Sequence, residues 1–122
     1  MTMSDAAFRD LVADALDSLP EDITRLMQNV EVVVEDEPPE ESLARLPYGG
    51  ILYGEYRGIP LTGRGMSYEG QLPDKISIFK GPIERSERTP NGIREQVRRT
   101  VIHEIGHHFG LDEDRLEELG WA

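Results

Sequence analysis

Ile93, Val97, Val101 and Ile105 recur every four residues between Pro90 and Gly110. Apolar positions at that spacing form one stripe along a helix, and the stripe must be buried against other elements. The segment is therefore predicted as a long helix. Pro90 suits its first turn with Thr89 as the cap. Gly110 is the expected C-terminal cap, with positive φ, where the chain reverses. Within this helix stand His103-Glu104-Ile105-Gly106-His107. His103 and His107, four apart, lie on one face a turn from each other. They flank the apolar stripe, so a site built on them is half buried and half reachable.

The pattern is H-E-x-x-H, and its residue types carry specific chemistry. Two imidazoles one turn apart can grip a single zinc ion, and the carboxylate beside the first faces the same cavity as general base. The implied reaction is hydrolysis in which zinc-bound water is activated by Glu104. A catalytic zinc takes three protein ligands and keeps one position open. The third must come from beyond Gly110 or from elsewhere in the chain. In the extended spacing H-E-x-x-H-x-x-G-x-x-ligand the last position is Glu113. Asp114 is the alternative third ligand and Asp112 a further rival, since a turn can slip by one residue. His108 falls on the core side with Val97 and Val101, which marks it as a satisfied core or border histidine rather than a ligand. Gly106 costs about 1 kcal/mol against alanine in a helix interior, and either close substrate approach or simple strand packing would account for it.

The chain has no cysteine, which excludes disulfides, a thiol nucleophile and thiolate metal ligands. Any metal chemistry must use histidine and carboxylates. Net charge is −11, unevenly spread. Residues 1–47 hold 12 acids and 3 bases, residues 48–100 hold 6 and 9, and residues 101–122 hold 6 and 1. Acidic ends argue against nucleic acid as the main partner. The 122 residues suit one domain spanning 1–122. Met1 to Asp5 has neither the basic nor the apolar region of a secretory signal, and no apolar run approaches membrane length, so the expectation is a cytoplasmic protein with no membrane partner.

The remainder reads as a mixture of helices and strands. Phe8, Leu11, Val12, Ala15, Leu16 and Leu19 define an amphipathic helix capped by Ser4 or Asp5. Pro20 opens a short second helix reaching about Met27. Val30 to Glu35 is β-branched and predicted as a strand. Asp36 to Glu41 is an acidic, proline-bearing loop. Ile51 to Tyr56 reads as a second strand, and Lys75 to Lys80 alternates as a third. Gly58 to Thr62 carries a proline, so it is an edge strand or none. Thr62 to Pro73 is a glycine-rich loop. A last short helix runs from about Asp112 to Leu119 and ends at Gly120. An extended substrate could add to a sheet edge, with 59–62 and 76–80 as the candidate strands. Tyr48, Tyr53, Tyr56 and Tyr68 are candidates to stabilise an oxyanion. Trp121 suits the core or an interface.

With residues His103 to Asp114 in view, the chain resembles the zincins, and most closely the small bacterial minimal zincin-like metallopeptidases. The segment Lys75 to Arg85 adds a weaker likeness. The resemblance implies an α+β, zincin-like fold: a small mixed β-sheet packed on N-terminal helices and on a C-terminal HExxH active-site helix. It implies Zn2+ as cofactor, with His103, His107 and Glu113 as ligands and Glu104 as base. A peptide or protein segment would be the substrate, and the chain a monomer or weak homo-oligomer. Two departures stand out. The extended motif is similar to that of metzincins, which end it with His or Asp where this chain has Glu113. No methionine follows Met66, so the methionine turn of metzincins has no counterpart. The alternative reading is a zinc-binding interaction or regulatory module with little or no peptidase activity.

Overall fold

The structure, a computed structural model, describes residues 1–47, 50–64 and 73–120. The expectations for Tyr48, Tyr68, Trp121 and most of the glycine-rich loop lie outside the described residues. Six α-helices and three strands are found among the described residues, in the order α1 (Asp5–Asp17), α2 (Glu21–Leu26), β1 (Val30–Glu35), α3 (Glu40–Leu43), β2 (Gly54–Arg57), β3 (Asp74–Phe79), α4 (Lys80–Ser86), α5 (Pro90–His108) and α6 (Glu113–Leu119). A 3-10 turn covers Leu61–Gly63. This is the mixed α+β architecture the sequence implies. No helix among the described residues is long and apolar enough to cross a membrane.

The helices begin where local chemistry starts them. The Ser4 side chain accepts from the Ala7 amide, and Thr89 accepts from Gly92 with Pro90 in the first turn of α5. α1 turns Phe8, Val12 and Ala15 inward, and α5 buries Ile93, Val97, Val101 and Ile105. These two faces meet Ile76 and Ile78 of β3 and Ile83 of α4 in one apolar cluster. The four-residue repeat thus builds the stripe expected of it.

The sheet order is β1-β3-β2, with β1 parallel and β2 antiparallel to β3. Several expectations change here. The strand at 74–79 is central and bonded on both sides, so 76–80 cannot receive an added strand. Residues 59–62 form no strand; the chain instead enters the 3-10 turn after Pro60. The second strand begins at Gly54 rather than Ile51. The acidic loop after β1 ends in helix α3, which starts directly after Pro39. Gly81 and Pro82 lie inside helix α4, where their place in the first turn leaves no intrahelical amide bond to lose.

Register decides what faces the helices. Tyr56, Ile76 and Val32 align across the sheet, as do Gly54, Ile78 and Val34. Strand side chains alternate, so Asp74 shares the inward face with Ile76 and Ile78. Gly54 brings β2 against α5. A Cβ on it would lie 2.6 Å from Thr100 Cγ2 and 3.3 Å from Glu104 Cγ. That close approach seats Glu104 beside a strand backbone.

Candidate active site

The last two turns of α5 and the first turn of α6 make the site. α5 ends in a Schellman arrangement: the Leu111 amide donates to the Gly106 carbonyl at 3.0 Å, and Gly110 donates to His107 at 2.9 Å. Gly110 has φ of +92°, the left-handed value expected for it. The chain then reverses. The Asp112 side chain accepts from the Arg115 amide and caps α6. That cap places Glu113 in the first turn of α6, facing back toward α5.

The structure brings His103, His107 and Glu113 together, each offering one ligand atom, with these atoms within 4.8 Å of one another. Glu113 Oε1 is 3.1 Å from His103 Nε2 and 2.8 Å from His107 Nε2. Asp112, occupied as a cap, and Asp114 are not part of the cluster. His107 Nδ1 lies 2.9 Å from the Leu111 carbonyl, which can only accept, so Nδ1 carries the proton. Nε2 of the neutral ring then presents a lone pair to a carboxylate oxygen. Two such groups repel at this distance unless a proton or a cation stands between them. The donor set of two imidazoles and one carboxylate suits zinc. Fixing the second ring nitrogen on a carbonyl is the usual way a metal-binding histidine is oriented.

Glu104 is buried at 6% exposure, and no hydrogen bond to a described residue engages its carboxylate. Burial pushes its pKa up. The nearby His103 and His107 oppose this, and the carboxylates of Glu113 and Glu55 reinforce it. Its environment thus favours holding a proton more than that of a surface carboxylate. It opens into a cleft of about 350 Å3 between Ile51–Gly54 and the α5 face carrying Gln96, Arg99, Thr100, His103 and Glu104. Tyr53 is on this wall. Tyr56, the other described tyrosine, points elsewhere, into the core beside His108. A larger hollow of about 770 Å3 lies along α5 near Leu19, Ile23, Ile102 and Leu119. It contains none of the clustered residues, so size alone does not locate the chemistry.

His108 is fully buried. Its Nε2 accepts from the Gln28 amide at 3.2 Å, so in the neutral ring Nδ1 is the donor, 3.2 Å from Asp74 Oδ2. Burial lowers its pKa, and the Arg64 charge adds to that while Asp74 opposes it. It is a satisfied core histidine, as its place beside Val97 and Val101 predicts. Its partners were not foreseen. Asp74 also accepts from the Tyr56 hydroxyl, from Arg64 Nη2 at 2.7 Å and from the Ile59 amide at 3.1 Å. The only sequence signal for Asp74 is its parity with Ile76 and Ile78, which places a carboxylate on the inward face. Arg64 and Ile59 carry no such signal.

The family model described as zincin-like metallopeptidase matches residues 27–121. Among solved structures, the chain is similar to a conserved hypothetical protein from Thermus thermophilus. The two share 26% identity at a TM-score of 0.57, over 96% of this chain and 97% of that one. No curated protein matches. The matched span runs from before β1 through α6, and so takes in the whole sheet, the motif helix and the reversal that returns Glu113 to it. On that match, the chain belongs to the zincin-like metallopeptidase family.

Proposed function

We propose that this chain is a zinc-dependent peptidase, with His103, His107 and Glu113 holding the metal and Glu104 acting as general base. The observation that carries the reading is the convergence of the three ligand atoms within 4.8 Å beside a buried Glu104 whose carboxylate no described residue hydrogen-bonds. Zinc in that position supplies a Lewis acid that acidifies water and polarises a carbonyl.

The chain's own residues do the rest. The Leu111 carbonyl keeps the proton on His107 Nδ1 and leaves Nε2 available. Glu104 accepts the proton of the attacking water and passes it to the leaving amine. Its burial supports this role, because a raised pKa brings a carboxylate closer to the value an acid–base group needs near neutral pH. The substrate is a peptide or an exposed protein segment lying in the cleft beside Glu104. The main-chain wall is Ile51–Gly54, which leads into β2, an edge strand of the sheet. Strand addition at this edge replaces the two positions expected from sequence. Tyr53 is the described tyrosine on the cleft wall, and is the candidate to stabilise an oxyanion.

The test begins with zinc per chain by elemental analysis on wild type and His103→Ala, followed by cleavage of a peptide library with Glu104→Gln as control. About one zinc in wild type, its loss in His103→Ala, and cleavage that Glu104→Gln abolishes support the proposal. Stoichiometric zinc with no cleavage favours a zinc-binding interaction or regulatory module. No zinc after reconstitution overturns both.

A further inference from the structure

A helix end is held less firmly than its middle, because its terminal groups depend on partners outside the regular ladder. The site proposed above sits at such an end, on His103 and His107 in the last two turns of α5, and takes its third member from beyond the reversal. Apolar packing is non-directional and does not by itself fix the aim of these groups. The Schellman bonds, the Leu111 carbonyl on His107 Nδ1 and the Asp112 cap tie the segment 106–113 to itself, and a directional bond from another element is needed to fix it against the sheet.

Asp74 is placed to do this. It opens the central strand and is only 2% exposed. Its four bonds reach three separate parts of the chain: Tyr56 on β2, Ile59 and Arg64 in the segment after β2, and His108 on α5. Arg64, whose side chain is 7% exposed, donates from Nε to the Ile59 carbonyl at 2.9 Å and from Nη1 to the Gln28 carbonyl at 2.8 Å. Ile59 is therefore gripped through both its amide and its carbonyl. The segment so held presents Thr62 to the reversal after α5, where a Cβ on Gly110 would lie 2.2 Å from Thr62 Oγ1.

Asp74 thus acts on the reversal from two sides. Through His108 it fixes the rotation of the final turn of α5. Through Arg64 and Ile59 it backs Gly110, the residue before Leu111. The Leu111 carbonyl orients His107, and two residues further on is Glu113. Buried ionic groups commonly stabilise a fold less than apolar residues of the same size would, so their place here is better explained by geometry than by stability. We propose that Asp74, with Arg64 and His108, is a positioning cluster that holds His107 and Glu113 in the arrangement that binds zinc. This rests on the zinc reading above.

The test compares zinc dissociation constants, measured by competition with a chromophoric chelator, for wild type, Asp74→Asn and Val12→Ala. Val12 is a buried core residue of α1, outside the cluster, and serves as a control for general destabilisation. Melting temperatures of the metal-free proteins are recorded alongside, with visible spectra of the cobalt(II)-substituted forms. The expectation is that Asp74→Asn weakens zinc about tenfold or more and alters the cobalt spectrum. Val12→Ala should lower the melting temperature and leave both metal readouts as in wild type. Unchanged affinity in Asp74→Asn, or equal weakening in Val12→Ala, overturns the proposal. Should Asp74→Asn not fold, Arg64→Lys decides in the same way, because an ammonium cannot span the three acceptors that the guanidinium holds among the described residues. Absence of zinc from wild type overturns this proposal and the functional one together; zinc in wild type with unperturbed variants overturns this one alone.

Discussion

Replacing Gly54 by alanine should separate β2 from α5 at the point where Glu104 meets the strand. The added Cβ would lie 2.6 Å from Thr100 Cγ2 and 3.0 Å from the Ser77 carbonyl oxygen. Carbon atoms in contact sit about 3.5–4.0 Å apart, so one element must move by about 1 Å. Neither neighbour gives way easily. Ser77 is in the central strand, and the Thr100 hydroxyl is tied to the Gln96 carbonyl at 2.7 Å, which fixes its methyl. Overpacking of this kind costs about 1–3 kcal/mol. At roughly 4 °C per kcal/mol for a chain of this size, thermal unfolding followed by circular dichroism should show a loss of about 4–12 °C. The same displacement opens the cleft beside Glu104, and a shift of about 1 Å in a catalytic group can lower turnover by about 100-fold. Thr100→Ser keeps the hydroxyl and removes the methyl. Gly54→Ala combined with Thr100→Ser should therefore recover part of the lost stability, with the Ser77 contact accounting for the rest. A Gly54→Ala protein as stable as wild type would refute the reasoning, as would a double variant no better than the single one.

Four further outcomes are expected. Glu104→Gln should retain zinc by elemental analysis while kcat falls by about 10²–10⁴-fold, because it removes a proton acceptor and no ligand. Glu113→Gln should weaken zinc in chelator competition, whereas Asp114→Asn should leave it unchanged, since Asp114 stands outside the cluster. Gly110→Ala should lower the melting temperature by several degrees, because its φ of +92° disfavours a side chain and its Cβ would meet Thr62. Acid should unfold the protein partly through Asp74. Burial raises its pKa, but the Tyr56 hydroxyl, the Ile59 amide and Arg64 outweigh this and hold it below its ordinary value. A depressed folded-state pKa means the unfolded chain binds the proton more readily. The stabilisation is present above about pH 4 and is lost as pH falls through the folded value. Urea titrations between pH 6 and pH 3 should show a smaller acid-induced loss in Asp74→Asn than in wild type; equal losses would show that Asp74 is not a source of it.

Sequence by itself determined what depends on neighbours along the chain. The stripe of Ile93, Val97, Val101 and Ile105, the caps at Ser4 and Thr89, the start of α6 near Asp112 and the reversal at Gly110 follow from helical periodicity and short-range hydrogen bonding. The juxtaposition of His103, His107 and Glu113 is legible for the same reason, since it is built within eleven consecutive residues by one helix end and one turn. Only the tertiary structure decided which strand is central. Pairing partners lie far apart in sequence, and the alternation of Lys75 to Lys80 is the same whether one edge or both are bonded. The proposed substrate wall is accordingly Ile51–Gly54 rather than either segment expected from sequence. Helix α4 has no counterpart in the sequence reading, because Gly81 and Pro82 are poor formers of a helix interior, although a first turn tolerates both. The Asp74 cluster was hidden more deeply. Its members come from β2, the segment after it, β3 and α5, and a carboxylate takes such partners only after the sheet and helix have packed and excluded the water that would otherwise satisfy it.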